Sequence, residues 1–73
     1  MSDIGWAVNE MQSGGRVRRA GWNGMGVWLE MHIPDQHSRL TLPFICMKTV
    51  RDDLVPWTCS QTDLLANDWE VAA

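Results

Sequence analysis

The residues of this chain best suited to binding a ligand are its aromatic and basic side chains. The sequence has five tryptophans and no tyrosine among its 73 residues. Trp22 follows Gly21 and precedes the run Asn23, Gly24 and Met25, so that glycines on both sides leave its indole accessible for stacking on a flat ring. Stacking of a nucleobase on an aromatic side chain contributes about 1–3 kcal/mol. The alternative is an indole that folds back and fills the core.

Arg16, Arg18 and Arg19 form a basic cluster immediately before this tryptophan. An arginine guanidinium binds phosphate oxygens through paired N–H donors, so Arg18 or Arg19 could hold a pyrophosphate. The alternative is a solvated edge strand, on which cationic side chains prevent pairing with other strands. Asn23 could read a base edge or act as a turn residue, and the two roles are compatible. Met25 could pack against a base or a ribose through its flexible thioether.

The segment from residue 57 to residue 63 supplies the remaining candidates for ligand binding. Ser60 and Asp63 have the spacing of a capping box, with Asp in place of Glu, and predict the start of a short helix. The free N–H groups at a helix N-terminus favour anions. Capping accounts for Ser60 and Asp63, whereas Gln61 has no evident structural role and is the better ligand candidate. Trp57 lies beside a strand end, where it could belong to the core or to the binding site.

Charge and cysteine content disfavour several classes of protein. Nine acidic residues against six basic ones give a formal net charge of −3, which disfavours binding to a nucleic acid polymer. Cys46 and Cys59 lack the spacing of a zinc site and are expected to be reduced packing residues. His32 and His37 have no Cys or Asp suitably spaced for a metal site. We therefore predict no metal, no cofactor and no catalytic residue.

The sequence also lacks the signals of membrane insertion or export. No apolar run approaches the roughly 20 residues that span a bilayer. The N-terminus does not combine a basic segment with an apolar one, as a signal peptide does. We therefore expect a cytoplasmic protein that makes no contact with a membrane.

The elements that must position the candidate residues indicate one small α+β domain, residues 1–73. Apolar side chains at helical spacing predict a helix over residues 3–13, with Ser2 or Asp3 as its cap and Gly14 at its end. Alternation and turn residues predict four or five strands, at 16–20, at 27–33, once or twice within 40–50 and at 69–71, with the segment 54–57 following a turn. The second helix begins at Ser60 and is expected to close at Asn67.

The register of the first two strands determines the loop that carries Trp22. A two-residue turn at the Asn-Gly pair would set Arg18 against Leu29 and place arginines on the apolar face. A bulge or a five-residue loop changes the parity and pairs Val17 with Leu29 instead. We therefore predict the longer loop, which would hold Trp22 on an exposed arch.

Two segments are distinctive in combination: RRAGWNGMG at residues 18–26 and PWTCSQTDLLANDWEV at residues 56–71. Together with the N-terminal helix and the strand at residues 47–49, they make the chain resemble the second Thoeris anti-defence family of small phage and prophage proteins. The resemblance extends nearly end to end. It implies an antiparallel sheet with a helix packed on it, assembled as a homotetramer. It also implies binding of cyclic ADP-ribose variants made by bacterial Thoeris immunity and, in some members, of cyclic oligonucleotides.

From this resemblance we expect a phage-encoded homo-oligomer that sequesters a cyclic nucleotide signal without cleaving it. A small hydrolase of the same nucleotides and a Trp-rich protein–protein adaptor are the alternatives. The sequence departs from the family pattern in the short segment 34–38, where relatives often carry an insert at the pocket rim, and in Asp52-Asp53, which replaces Asp-Gly. The residues expected to bind the ligand are Arg18, Arg19, Trp22, Asn23, Gly24, Met25, Trp57, Ser60, Gln61 and Asp63.

Overall fold

The computed structural model describes residues 2–22, 26–37, 39 and 41–72. The strands form a five-stranded sheet in the order β4-β3-β2-β1-β5, and all four neighbouring pairs are antiparallel. This confirms the expected α+β fold. In chain order the elements are α1 (Ile4–Gln12), β1 (Val17–Arg19), β2 (Trp28–His32), β3 (Phe44–Lys48), β4 (Leu54–Pro56), α2 (Gln61–Leu64) and β5 (Trp69–Val71).

The first helix, α1, packs on one face of the sheet and forms the core with it. Asp3 is the N-cap, and its carboxylate accepts the Trp6 N–H at 2.9 Å. Gly14 follows the helix at φ +91°, a backbone conformation that glycine adopts without steric cost. Ala7 and Met11 are buried against the sheet. The helix predicted over residues 3–13 is thus confirmed to within one residue at each end.

The register of β1 and β2 agrees with the longer loop. Val17 lies opposite Leu29, and both side chains are completely buried. Because successive side chains of a strand point to opposite faces, Arg18 lies on the face away from α1. The loop itself includes residues 23–25, which lie outside the described residues.

The face of the sheet away from α1 is built around Trp28. The Arg16 guanidinium carbon lies 4.6 Å from the centre of its ring, and the Lys48 Nζ lies 4.5 Å from it. Lys48 also forms an ion pair with Asp52 at 2.8 Å. Arg16 precedes β1 and Lys48 belongs to β3, so the two cations approach Trp28 from opposite flanks of β2. Cation–π contacts stabilise this face.

Within residues 41–50 the structure has one strand, Phe44–Lys48, which is one of the two predicted possibilities, and a further strand follows at Leu54–Pro56. Two local predictions are corrected by the structure. The helix α2 ends before Asn67, with Leu65 as its C-cap, because the Asp63 carbonyl accepts the N–H groups of Ala66 and of the Trp69 indole. Cys59 is exposed and is therefore not a packing residue, whereas Cys46 is buried, and both thiols are free.

Among the described residues, neither helix is long and apolar enough to cross a membrane.

Candidate functional site

Three tryptophans meet where β1 and β5 lie side by side. Trp69 is only 3% exposed, and it is contacted by the half-buried Trp22 and Trp57. The Trp22 and Trp69 ring centres are 5.4 Å apart at 77°, and those of Trp57 and Trp69 are 6.1 Å apart at 87°. Such perpendicular pairs contribute about 0.5–1.5 kcal/mol beyond the area they bury. Trp69 is therefore the buried centre of an indole cluster, and Trp22 and Trp57 are its more accessible members.

Asp63 connects this cluster to α2. Its Oδ1 accepts hydrogen bonds from Arg19 Nη1 at 2.9 Å and from Trp22 Nε1 at 3.4 Å. Its main-chain carbonyl accepts the Trp69 Nε1–H at 3.2 Å, and its N–H donates to Ser60 Oγ at 3.1 Å. The Ser60 contact confirms the predicted cap. One residue thus links the short helix, the first strand and two of the indoles.

Arg19 is held by two carboxylates. Its Nε donates to Asp68 Oδ1 at 2.8 Å, while its Nη1 donates to Asp63. The other oxygen of Asp68 accepts the Gly21 N–H at 3.2 Å. The hydrogen bond from Arg19 holds the pKa of Asp68 below its ordinary value, and the Gly21 N–H adds to this effect against the cost of desolvation. Asp68 therefore joins Arg19 to Gly21, the residue before Trp22, and two N–H groups of the Arg19 side chain are already engaged.

Arg18 and Arg19 are neighbours in sequence and lie on opposite faces of the sheet. Arg18 donates from Nε and Nη2 to Glu70 Oε2 at 3.3 and 3.2 Å. It lies opposite Glu70 in the pairing of β1 with β5, whereas Arg19 lies opposite Trp69. The structure therefore brings Arg19, and not Arg18, together with the indole cluster.

The remaining expected site residues are distributed around this centre. Ser60 and Gln61 are exposed at the start of α2. Trp57 continues from β4, and its N–H donates to the Ile45 carbonyl at 3.0 Å. The predicted contributions of Asn23, Gly24 and Met25 fall outside the described residues.

Asp68 is the functional candidate that sequence reasoning missed. Its role depends on the antiparallel pairing of β1 with β5, which brings residues some fifty positions apart into contact. The signal that could have found Asp68 is its position in the distinctive C-terminal segment, five residues after Asp63. Within the part of the chain that the structure describes, no group of three or more His, Cys, Asp or Glu residues is placed to hold a metal ion.

The arrangement of these side chains suits binding through aromatic faces and hydrogen bonds. Comparison with known proteins then identifies the family of the chain. A family model described as Tad2-like, the Thoeris anti-defense 2-like domain, matches residues 2–72. The protein named Thoeris anti-defense 2 from Bacillus phage SP01 is similar, with 29% identity over an alignment of 83 positions that covers 96% of this chain and 93% of that protein. The chain belongs to the Thoeris anti-defense 2-like domain family.

Proposed function

We propose that this chain is a phage-encoded anti-defence protein that sequesters a cyclic ADP-ribose-type signal in the bacterial cytosol without cleaving it. The observation that carries the proposal is the indole cluster, in which Trp22 and Trp57 remain partly accessible around the buried Trp69. Membership of the family and the name of the phage relative support an action on Thoeris immunity. Cyclic oligonucleotides are a second class of ligand that the same aromatic faces could bind.

A protein that removes a signal from solution by binding it one to one needs a Kd near the nanomolar range. This corresponds to a binding free energy of about −12 kcal/mol. Stacking on Trp22 and Trp57 supplies about 1–3 kcal/mol per base, so the indoles alone are not sufficient. Gln61 is exposed at the start of α2, two residues before Asp63, and is proposed to contribute a polar contact. The remaining free energy must come from enclosure of the ligand and from contacts to its phosphates.

We propose that this enclosure is supplied by further copies of the chain in a homotetramer. Arg18 lies on the face of the sheet opposite to Arg19, so it would reach a ligand beside Trp22 across a boundary between copies. Large apolar side chains are also exposed, which favours association. Among the residues that the structure describes, those most exposed are Ile33, Leu42, Val50, Leu54 and Leu65.

The direct test is to incubate the purified protein with cyclic ADP-ribose, measure binding by calorimetry, then denature the protein and identify the released nucleotide by mass spectrometry. We expect saturable binding and quantitative return of the intact nucleotide. Release of a cleaved product would instead identify a hydrolase. Light scattering on the same sample measures the mass, and a lone 8.3 kDa subunit would contradict the shared pocket.

If neither cyclic ADP-ribose nor a cyclic dinucleotide binds or raises the unfolding temperature, sequestration is rejected. The exposed apolar side chains would then favour the adaptor alternative. Chemical crosslinking to host proteins during infection would test that alternative directly.

A further inference from the structure

We propose that Asp63 is the positioning residue of this site, and that it acts by fixing the orientation of the Trp22 indole. This inference rests on the proposed function, since it assumes that Trp22 stacks on the ligand. The Asp63 side chain is only 16% exposed, and it accepts hydrogen bonds from Arg19 and from Trp22.

Two restraints define the orientation of the Trp22 ring. The perpendicular contact with Trp69 limits the tilt of the ring, and the hydrogen bond from Nε1 to Asp63 limits its rotation. At 3.4 Å this hydrogen bond is long, so its effect depends on an acceptor that does not move. The shorter, charge-assisted bond from Arg19 at 2.9 Å holds that acceptor in place.

Asp68 extends the same chain of contacts by one step. It binds Arg19 Nε at 2.8 Å and thereby fixes the guanidinium that fixes Asp63. Asp68 therefore restrains Arg19, Arg19 restrains Asp63, and Asp63 restrains the Trp22 ring. An indole that is already oriented in the free protein loses less conformational freedom when the ligand binds, and affinity rises accordingly.

The local charge argues against direct contact between Asp63 and a phosphate. Asp63 and Asp68 carry two negative charges, and Arg19 supplies one positive charge between them. An additional phosphate at this point would be repelled by the excess carboxylate. The phosphates of a bound nucleotide must therefore lie away from the Asp63 side of the ring, which is consistent with an indirect role for this residue.

A double-mutant cycle with cyclic ADP-ribose as the probe tests the inference. We expect Asp63→Ala to weaken binding about tenfold in the wild-type protein and less than twofold in a Trp22→Phe background, which lacks the indole N–H. Asp63→Asn retains a carbonyl acceptor, so we expect a loss of no more than threefold. Asp52→Asn is the matched control, because it removes a carboxylate from an ion pair elsewhere and asparagine tolerates the backbone φ of +66° at that position.

A measurement without ligand separates this inference from the proposed function. The five tryptophans give five indole N–H signals in a ¹⁵N–¹H spectrum, and Trp22→Phe identifies the one from Trp22. We expect Asp63→Ala to shift that signal and to accelerate its hydrogen exchange, whereas Asp52→Asn leaves it unchanged. Thermal unfolding of each variant shows whether the fold is retained.

Each outcome bears on one of the two claims. An unchanged Trp22 signal in Asp63→Ala, or an equal loss of affinity in both backgrounds, would overturn the positioning role. If Asp63→Asn lost as much affinity as Asp63→Ala while its Trp22 signal stayed as in the wild-type protein, the charge of Asp63 and not the orientation of the indole would govern binding, which also overturns it. If the wild-type protein binds neither cyclic ADP-ribose nor a cyclic dinucleotide, the proposed function fails, and the indole signal alone then decides whether Asp63 orients Trp22.

Discussion

The two faces of the sheet each place a tryptophan near cationic side chains, but they use them in different ways. On the face away from α1, Arg16 and Lys48 lie over the Trp28 ring itself. At the indole cluster, Arg19 binds two carboxylates, and Trp22 meets another indole at a steep angle. Two cations of the protein therefore lie over the Trp28 ring, whereas a perpendicular contact uses at most one face of Trp22.

This difference indicates which indole can stack on a ligand. A base that stacked on Trp28 would have to displace a cation that is already in place, and Lys48 is further held by Asp52 and by the Gly26 carbonyl at 2.8 Å. Near Trp22 the cation is Arg19, and its guanidinium forms ion pairs with Asp63 and Asp68. A tryptophan beside an arginine is thus not sufficient to define a binding surface, because the contacts of the arginine decide whether the ring is available.

The largest effect expected from this comparison is on stability and concerns Trp69. Replacing this buried indole with alanine should cost about 3–5 kcal/mol, because it removes the centre of the cluster and leaves the Asp63 carbonyl without its indole donor. For a chain of this length the loss is comparable to the whole free energy of unfolding, about 4–11 kcal/mol. Trp28→Ala should cost less, since that ring is partly exposed and each cation contributes only about 0.5–1 kcal/mol.

Urea unfolding monitored by circular dichroism measures both losses. Trp69→Phe serves as a graded variant that keeps an aromatic ring if Trp69→Ala does not fold. If Trp69→Ala and Trp28→Ala lost the same free energy of unfolding, the two faces of the sheet would contribute equally to stability. That result would contradict the difference between the two tryptophans.

The second effect concerns affinity and Trp22. We expect Trp22→Ala to weaken binding of cyclic ADP-ribose by about 1–3 kcal/mol, or roughly 5- to 150-fold, because a stacking surface is lost. The fold should persist, since Trp22 is only half-buried. Trp28→Phe provides the matched control and should change the affinity less than twofold. Calorimetric titration of both variants would contradict the assignment if they lost affinity to the same extent.

Sequence reasoning was successful where local patterns or strand parity carried the information. The cap at Asp3, the capping bond between Ser60 and Asp63, and the pairing of Val17 with Leu29 all follow from residues close in sequence or from alternation. Alternation also separates Arg18 from Arg19, although their adjacency made them look like one cluster.

The partners of Arg19 could not be predicted in the same way. They depend on β5 returning to pair with β1, and no short-range pattern specifies that pairing. A separate contact, over only six residues, explains why α2 ends before Asn67, because the Trp69 indole donates a hydrogen bond to the carbonyl of Asp63. The roles proposed for the ligand-binding residues remain predictions, since they depend on a ligand and on neighbouring copies of the chain.

The smallest effect expected is on stability at acid pH. It concerns one carboxylate from each region, Asp68 beside the indole cluster and Asp52 beside Lys48. Arg19 lowers the pKa of Asp68, and Lys48 lowers the pKa of Asp52, in each case from an ordinary value of 3.8. A carboxylate whose pKa is lowered by folding contributes stability that is fully present above its unfolded pKa and is lost as the pH falls through the lower folded value. The free energy of unfolding should therefore fall as the pH drops from about 5 to below 4.

Replacing either carboxylate with an amide should reduce stability at neutral pH and flatten this acid dependence. We expect Asp68→Asn to show the larger change, because the Asp52 side chain is 83% exposed and its ion pair is screened by water and salt. Thermal unfolding between about pH 3 and pH 7, at low salt and at about 0.5 M salt, measures both dependences. If Asp52→Asn flattened the profile as much as Asp68→Asn at both salt concentrations, the paired carboxylates around Arg19 would have no special role in holding the site.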